Sequence, residues 1–212
     1  MHEDVLGHLA YKIANAPVNP FPMPHIYVEN VFPPNFYRDL LDCLPAAHDY
    51  KGVDGKYKGR TFHEGDLPIL EPLRTQNWVD IAIYPFRSQI AKKFGTTPKC
   101  STDLRLVLDG ENYSIGPHTD ARYKILSFLF YLPNVTTTED LGTSIYLPKD
   151  PEFRCEGGPH YPSEGFVEIF RAPFRSNSLL AFFKTDFSFH GVEPITIPCR
   201  RDVLLWNLYG SK

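Results

Sequence analysis

The stretch GPHTDARYKILSFLFYL, residues 116–132, holds a histidine and an aspartate two positions apart, followed at once by a long apolar run. Aromatic and aliphatic residues dominate that run, which predicts a buried β-strand. Side chains two positions apart along an extended chain point to the same side, so His118 and Asp120 would face one point where the chain turns into a strand. A second His-x-Asp occurs at His2-Glu3-Asp4, where acids are typical of a helix start. The pattern alone therefore does not identify a metal site.

The residues around this stretch change in character along the chain. Helical periodicity predicts helices at 4–15, in PPNFYRDLLDCLP and at 76–94, where Pro85 should interrupt the helix, while HIYVENVF predicts a strand. After Lys99, short runs of β-branched and aromatic residues alternate with Gly, Pro, Asn and Asp, which indicates many strands. These runs are LRLVL, YKILSFLFYL, TSIYL, GFVEIF, SLLAFF, FHGVEPITI and DVLLWNLY. Helices first and strands later favour a mainly β sandwich or barrel supported by N-terminal helices.

Two segments lack a clear periodicity. Residues 45–66 are rich in Gly, Asp, Lys and Tyr, which is typical of an exposed loop that reaches a substrate. Residues 148–165, PKDPEFRCEGGPHYPSEG, interrupt the strand series, and a loop of that length in a globular domain is usually a functional lid or disordered. Both segments are expected at the entrance of a site.

Composition excludes several classes of protein. Hydrophobic residues make up 42% of the 212 residues and charged residues 22%, which fits a soluble globular domain rather than a disordered or membrane protein. A net charge of −3, with no long Lys/Arg run, argues against nucleic-acid binding. The four cysteines are far apart in the sequence, which indicates reduced thiols rather than disulfides or a zinc site. With no signal-like or membrane segment at the N-terminus, we expect a cytoplasmic protein without a membrane partner.

A third candidate ligand and an arginine pair lie near the C-terminal end. His190 follows His118 by 72 residues, and Arg200 lies ten residues further on. Two histidines and one carboxylate hold non-haem Fe(II) on one side and leave the other side open, although Zn²⁺ and Mn²⁺ accept the same ligands. His118, Asp120 and His190 are thus the candidate metal ligands and catalytic residues.

His118-x-Asp120, then His190 and Arg200 in HGVEPITIPCRRDVLLW, resemble the Fe(II)- and 2-oxoglutarate-dependent dioxygenases, in particular their prolyl-hydroxylase-like branch. The resemblance extends from Leu104 to Tyr209, and more weakly back through HIYVENVFPPNFYRDLLDCLP. It implies a double-stranded β-helix, the jelly roll of cupin-like proteins. On this interpretation residues 1–212 are a single oxygenase domain, with 1–98 as mostly helical support and entrance loop and 99–212 as the jelly-roll core.

The resemblance also implies a co-substrate site. In the family, a basic residue about ten positions after the second histidine binds the distal carboxylate of 2-oxoglutarate, and a guanidinium suits that role because it is planar and always charged. Strand alternation places Arg200 with Trp206 on one face and Arg201 on the other. Because the family pattern has an inward-facing Trp at this spacing, Arg200 is the predicted partner and Arg201 the alternative. Tyr131 and Leu129 are predicted to line the same pocket.

The implied cofactors are Fe(II), 2-oxoglutarate as co-substrate and O2. The implied reaction is oxidative decarboxylation of 2-oxoglutarate to succinate and CO2, coupled to hydroxylation of a C–H bond, or a related oxidation, in a small-molecule or amino-acyl substrate. Arg122 and Lys124 are solvated charges by default, with attraction of an anionic substrate as the alternative. A cupin-like metalloenzyme without 2-oxoglutarate and an inert jelly-roll binding module remain as alternatives. The sequence leaves the oligomeric state undetermined.

Overall fold

Four α-helices precede the long run of strands, as the periodicity predicts. Their bounds are α1 Val5–Ala14, α2 Pro34–Asp42, α3 Gln76–Ile83 and α4 Arg87–Phe94. The computed structural model describes residues 4–52, 58–96, 98–133 and 139–210, so His2 and Glu3 lie outside the described residues. The predicted interruption at Pro85 is confirmed, because a 3₁₀ turn at Tyr84–Phe86 separates α3 from α4. Proline has no N–H for the helical ladder, which explains the break.

The strands form two antiparallel sheets. The described strands are β1 His25–Glu29, β2 Lys51–Gly52, β3 Arg60–His63, β4 Cys100–Asp109, β5 Ile115–His118, β6 Lys124–Tyr131, β7 Ser144–Pro148, β8 Phe166–Arg171, β9 Ser178–Phe183, β10 His190–Val192 and β11 Arg201–Gly210. The larger sheet has the order β1-β9-β6-β11-β4-β3-β2, and the smaller sheet has the order β5-β10-β7-β8. Apart from the consecutive pairs β2–β3 and β7–β8, neighbours in these orders come from distant parts of the chain, as expected for a jelly roll.

The helices and the two sheets form layers, and an apolar cluster fills the space between each pair of neighbouring layers. On one side of the larger sheet the helices pack over Phe128 and Trp206, whose rings lie 5.3 Å apart, and Trp78 of α3 meets Trp206 at 5.5 Å. Between the two sheets lies a second cluster, which includes Val203 of β11 and Ile145 of β7. The order of layers is therefore helices, larger sheet, smaller sheet.

Strand β11 is buried on both of its faces, because the helices cover one face of the larger sheet and the smaller sheet covers the other. Leu204, Trp206 and Leu208 belong to the cluster under the helices, whereas Val203 and Leu205 belong to the cluster between the sheets. This division decides which residues of β11 can reach a site inside the jelly roll.

Both segments without periodicity contain ordered structure. Within 45–66, β2 and β3 extend the larger sheet through β3–β4 pairing, and residues 53–57 lie outside the described residues. The pattern did not predict these strands, because they are short and are held by pairing with a strand distant in sequence. The segment 148–165 is anchored by aromatic contacts, with the ring of Phe153 stacked 5.6 Å from that of Phe189. In the described part of the chain, no helix has the length and apolar character to cross a membrane.

A candidate metal centre and its cavity

The three predicted ligands lie together at one end of the smaller sheet. His118 is the last residue of β5 and His190 the first of β10, and the two are directly opposite each other in the antiparallel pair. Asp120 follows two residues after His118 and brings its carboxylate to the same point. One ligand atom from each of the three residues lies within 4.8 Å of the others. Strand pairing therefore joins two motifs that are 72 residues apart in the sequence.

Hydrogen bonds to the backbone orient both histidines. Nδ1 of His118 lies 2.9 Å from the carbonyl oxygen of Gly116, and Nδ1 of His190 lies 3.0 Å from that of Ser188. A carbonyl only accepts, so Nδ1 donates in each ring and Nε2 keeps its lone pair for a metal. Burial lowers the pKa of His118 to about 3 and also lowers the pKa of His190. Both rings are thus neutral at pH 7, the form that binds metal.

Asp120 has two donors of its own. Nζ of Lys124 donates to Oδ1 at 2.8 Å, and Oγ of Ser127 donates to Oδ2 at 2.7 Å. Burial acts to raise the pKa of Asp120, but the positive charge of Lys124 and the electrostatic interactions with the two histidines outweigh it and hold the pKa below its ordinary value. The default prediction of a solvated Lys124 is wrong, because this side chain is only 13% exposed and pairs with the carboxylate. Arg122 is 81% exposed beside Glu156, as predicted for a surface charge.

The donor set fits a divalent transition metal. Two imidazole nitrogens with their lone pairs directed inward and one ionised carboxylate supply three ligands, and they come from one side of the site. Such a set is the facial arrangement that non-haem Fe(II) uses with open positions, and it also suits Zn²⁺ or Mn²⁺.

A cavity of about 290 Å³ adjoins the three ligands between the two sheets. Its walls include Leu129 of β6, Thr143 before β7 and Arg201 at the start of β11. The cavity therefore joins a metal-binding group to a guanidinium across an interior that is partly apolar. Pockets of this kind hold small ligands whose few polar groups are matched by a few placed side chains.

The two neighbouring arginines lie on opposite faces of the larger sheet. Arg201 is buried, lines the cavity and donates from Nε to the carbonyl oxygen of Leu141 at 2.5 Å. Arg200 points to the other side, where its guanidinium pairs with Asp202 at 2.6 Å and donates to the carbonyl oxygen of Pro45. The predicted inward face of Arg200 is wrong: Trp206 does share its face, but that face packs under the helices.

Leu129 and Tyr131 are both predicted to line the pocket, and the structure places only Leu129 in its wall. Tyr131 is fully buried behind it, and its hydroxyl oxygen accepts a hydrogen bond of 3.0 Å from the backbone N–H of Thr143. The ring of Tyr131 lies 5.7 Å from the guanidinium carbon of Arg201. The hydroxyls of Tyr131 and Thr143 thus lie on the same side of the site as Arg201.

Two charged residues of this site were missed in the sequence. Asp109, the last residue of β4, is completely buried and accepts hydrogen bonds from Arg201 and from Arg60 of β3. Arg60 lines the cavity and lies with its guanidinium 4.3 Å from the ring centre of Tyr113. Asp109 could have been suspected as a charge at the end of an apolar strand. Arg60 carries no such signal, because it lies in a segment without periodicity.

The segment 148–165 forms a wall beside the metal centre. The ring of His160 lies 4.7 Å from that of His118, and the N–H of Tyr161 donates to the carbonyl oxygen of Pro117 at 2.9 Å. Gly157 has a positive φ of 133°, and a Cβ there would lie 2.3 Å from the carbonyl oxygen of Asp120. Close backbone approach therefore requires glycine at this position.

Fold and site together define a jelly-roll protein with a two-histidine, one-carboxylate cluster and a buried arginine in the adjoining cavity. No protein-family model matches the sequence, and no curated protein matches it either.

Similar folds occur among solved structures. A Pseudomonas putida prolyl-4-hydroxylase has a TM-score of 0.57 at 13% sequence identity, over 98% of this chain and 100% of that chain. A Phytophthora capsici prolyl 4-hydroxylase structure has a TM-score of 0.57 at 13% identity, over 100% of this chain and 68% of that chain. The epimerase SnoN, in complex with Fe3+, alpha ketoglutarate and nogalamycin RO, has a TM-score of 0.56 at 14% identity, over 97% of this chain and 83% of that chain. At these identities the likeness shows the fold, and it confirms the predicted double-stranded β-helix.

Proposed function

We propose that this chain is an Fe(II)- and 2-oxoglutarate-dependent dioxygenase. It would convert 2-oxoglutarate and O2 to succinate and CO2 and place the second oxygen atom in a C–H bond of its substrate. The observation that carries this proposal is the joint placement of the metal-binding cluster and Arg201 in one cavity. A metal-binding cluster alone would fit many reactions, but this cavity also holds two guanidiniums, those of Arg201 and Arg60, which share the single carboxylate of Asp109. That arrangement favours an anionic ligand.

His118, Asp120 and His190 would hold the metal, and bound Fe(II) would supply the O2 and redox chemistry of the reaction. The protein contributes orientation and shielding. The backbone carbonyls behind the histidines keep each Nε2 directed inward, and Ser127 and Lys124 fix the rotation of the Asp120 carboxylate. Such supporting hydrogen bonds set the affinity of a metal site as well as its geometry.

Arg201 would bind the distal carboxylate of 2-oxoglutarate, the role for which Arg200 was predicted. Its guanidinium lies beside the hydroxyl oxygen of Thr143, at 3.3 Å from Nη2. A charged, planar donor group of this kind binds a carboxylate strongly in a place that excludes water. Leu129 and Phe182 supply apolar walls. These walls would shield from water the part of the co-substrate that lies between its two charged ends.

The substrate would be a small molecule or an amino-acyl side chain. SnoN and the prolyl 4-hydroxylases share this fold. The SnoN complex contains the small molecule nogalamycin RO, and the name prolyl 4-hydroxylase indicates an amino-acyl substrate. Lys124 gives no support to the hypothesis of an anionic substrate, because its ammonium group is paired with the carboxylate of Asp120. His160 is exposed beside His118 and is a candidate contact for whichever substrate enters.

The test is the anaerobic absorption spectrum of the protein after Fe(II) and then 2-oxoglutarate are added. We expect a weak charge-transfer band in the wild type. The band should be absent in His118→Ala, strongly weakened in Arg201→Gln, and retained in Arg200→Gln, which is a matched control on the opposite face of β11. Fe(II) binding without a band would favour the cupin-like alternative, and no metal binding at all would favour an inert jelly-roll module; either result overturns the proposal.

A further inference from the structure

The geometry points to Arg60 as a residue that determines co-substrate specificity: it frees Arg201 for the distal carboxylate by sharing Asp109. This inference rests on the proposed function and extends it to a residue outside the β-strands that the sequence predicts. Three neighbouring strands contribute one charged residue each. Asp109 of β4 is directly opposite Arg201 of β11 on one side and Arg60 of β3 on the other. Directly opposite residues in antiparallel strands project to the same face, so the three side chains form one row inside the jelly roll.

Hydrogen bonds tie the row together. Arg60 donates to Asp109 from Nε at 2.5 Å and from Nη2 at 2.8 Å, and Arg201 donates to the same carboxylate from Nη1. The side chains of Arg60, Asp109 and Arg201 are 13%, 0% and 1% exposed. Water therefore does little to screen these charges, and each of them is felt in the adjoining cavity.

The charges of the row leave an excess of one. Two guanidiniums and one carboxylate together carry a net charge of +1. Without Arg60, Asp109 would neutralise Arg201, and an incoming carboxylate would meet a carboxylate already in place. With Arg60, one positive charge remains for a ligand. Burial of an excess charge is unfavourable unless it is paired, so a ligand with one negative charge at its distal end is favoured there.

The opposite face of the sheet shows the contrasting arrangement. There Arg200 forms an ion pair with one carboxylate, that of Asp202, through Nε at 2.6 Å and Nη2 at 3.1 Å, and this one-to-one pair is neutral. On that face one arginine is matched by one carboxylate, whereas in the cavity two arginines share one carboxylate.

The experiment measures the affinity of the Fe(II)-loaded protein for two ligands by anaerobic calorimetry. One ligand is 2-oxoglutarate, and the other is 2-oxopentanoate, which has a methyl group in place of the distal carboxylate. In Arg60→Gln we expect about 10- to 100-fold weaker binding of 2-oxoglutarate, the range that one unit charge a few ångströms away produces in a partly screened interior. The affinity for 2-oxopentanoate should change less than about threefold, since hydrogen bonds to neutral groups contribute little here.

A double variant tests the net charge of the row more directly. The double variant Arg60→Gln with Asp109→Asn restores a net charge of +1, and it should regain most of the preference for 2-oxoglutarate that the single variant loses. Arg60→Lys keeps the charge and should retain the preference as well. Arg74→Gln removes an exposed arginine that pairs with Asp66 away from the cavity, and it serves as the matched control with unchanged affinities.

The outcomes separate the two proposals. If the wild type does not bind 2-oxoglutarate, the proposed function fails. If the wild type binds it and Arg60→Gln binds it equally well, the role of Arg60 is refuted while the function stands. If the double variant remains as weak as the single variant, the charge count is wrong and Arg60 acts through packing.

Discussion

Replacement of Asp109 by Asn should lower the free energy of unfolding by about 3 kcal/mol. The carboxylate is completely buried and accepts hydrogen bonds from two arginines. Removing one partner of a buried ion pair costs about 3–5 kcal/mol, because the remaining charge stays uncompensated. We take the lower end of this range for two reasons. The amide oxygen of Asn keeps one acceptor, and Arg60, at 13% exposure, can turn toward water.

Urea denaturation followed by circular dichroism measures this loss. For a chain of this length, about 3 kcal/mol corresponds to a melting temperature lowered by about 6–12 °C. Asp66→Asn is the matched control, because the same substitution there removes an exposed carboxylate, 74% accessible, from its pair with Arg74. That change should stay within about 0.5 kcal/mol, as surface substitutions usually do.

A loss below about 1 kcal/mol in Asp109→Asn would refute the reasoning, since it would mean that the arginines are not held by this carboxylate. A further check is the coupling to Arg60. Arg60→Gln in the Asp109→Asn background should recover part of the loss, because it removes one of the two uncompensated charges.

Three further predictions concern the metal centre and the core. Ser127→Ala should weaken Co²⁺ or Fe(II) binding about tenfold in a spectroscopic titration, since it removes a donor to Asp120; an unchanged affinity contradicts this. Gly157→Ala should also weaken metal binding, whereas Gly158→Ala, with a positive φ but open space around its Cβ, should leave it unchanged; equal affinities would rule out the close approach to Asp120. Trp206→Ala should lower the free energy of unfolding by about 3–5 kcal/mol, yet the folded variant should keep its affinity for 2-oxoglutarate, and a lost affinity would place Trp206 on the cavity face.

Local patterns were sufficient for most of the elements, and a resemblance in spacing was sufficient for the candidate metal ligands. The apolar run after Asp120 forms β6, and Pro85 divides a helical segment into α3 and α4. These features depend on neighbours in the sequence, since periodicity and the missing N–H of proline act over a few residues. His118, Asp120 and His190 could be paired across 72 residues because their spacing resembles a known motif.

The part of the cavity around Asp109 could not be predicted, because it is formed by contacts between strands that no local sequence pattern contains. Arg60 and Asp109 meet because β3 pairs with β4, and β3 has no apolar alternation that would predict it. Lys124 looked like a surface charge, yet it turns to the carboxylate of Asp120. In each of these cases a charged side chain is buried because its partner is supplied from another strand or turn.

By itself, the sequence determined a mainly β chain with N-terminal helices, a candidate three-residue metal cluster and an arginine pair at the start of the last strand. Only the tertiary structure decided which arginine reaches the cavity. Alternation assigns Arg200 and Arg201 to opposite faces, but it identifies the inner face only when the other face is exposed to water. Strand β11 is covered by helices on one side and by the second sheet on the other, so both faces are apolar and only the packing of the layers distinguishes them.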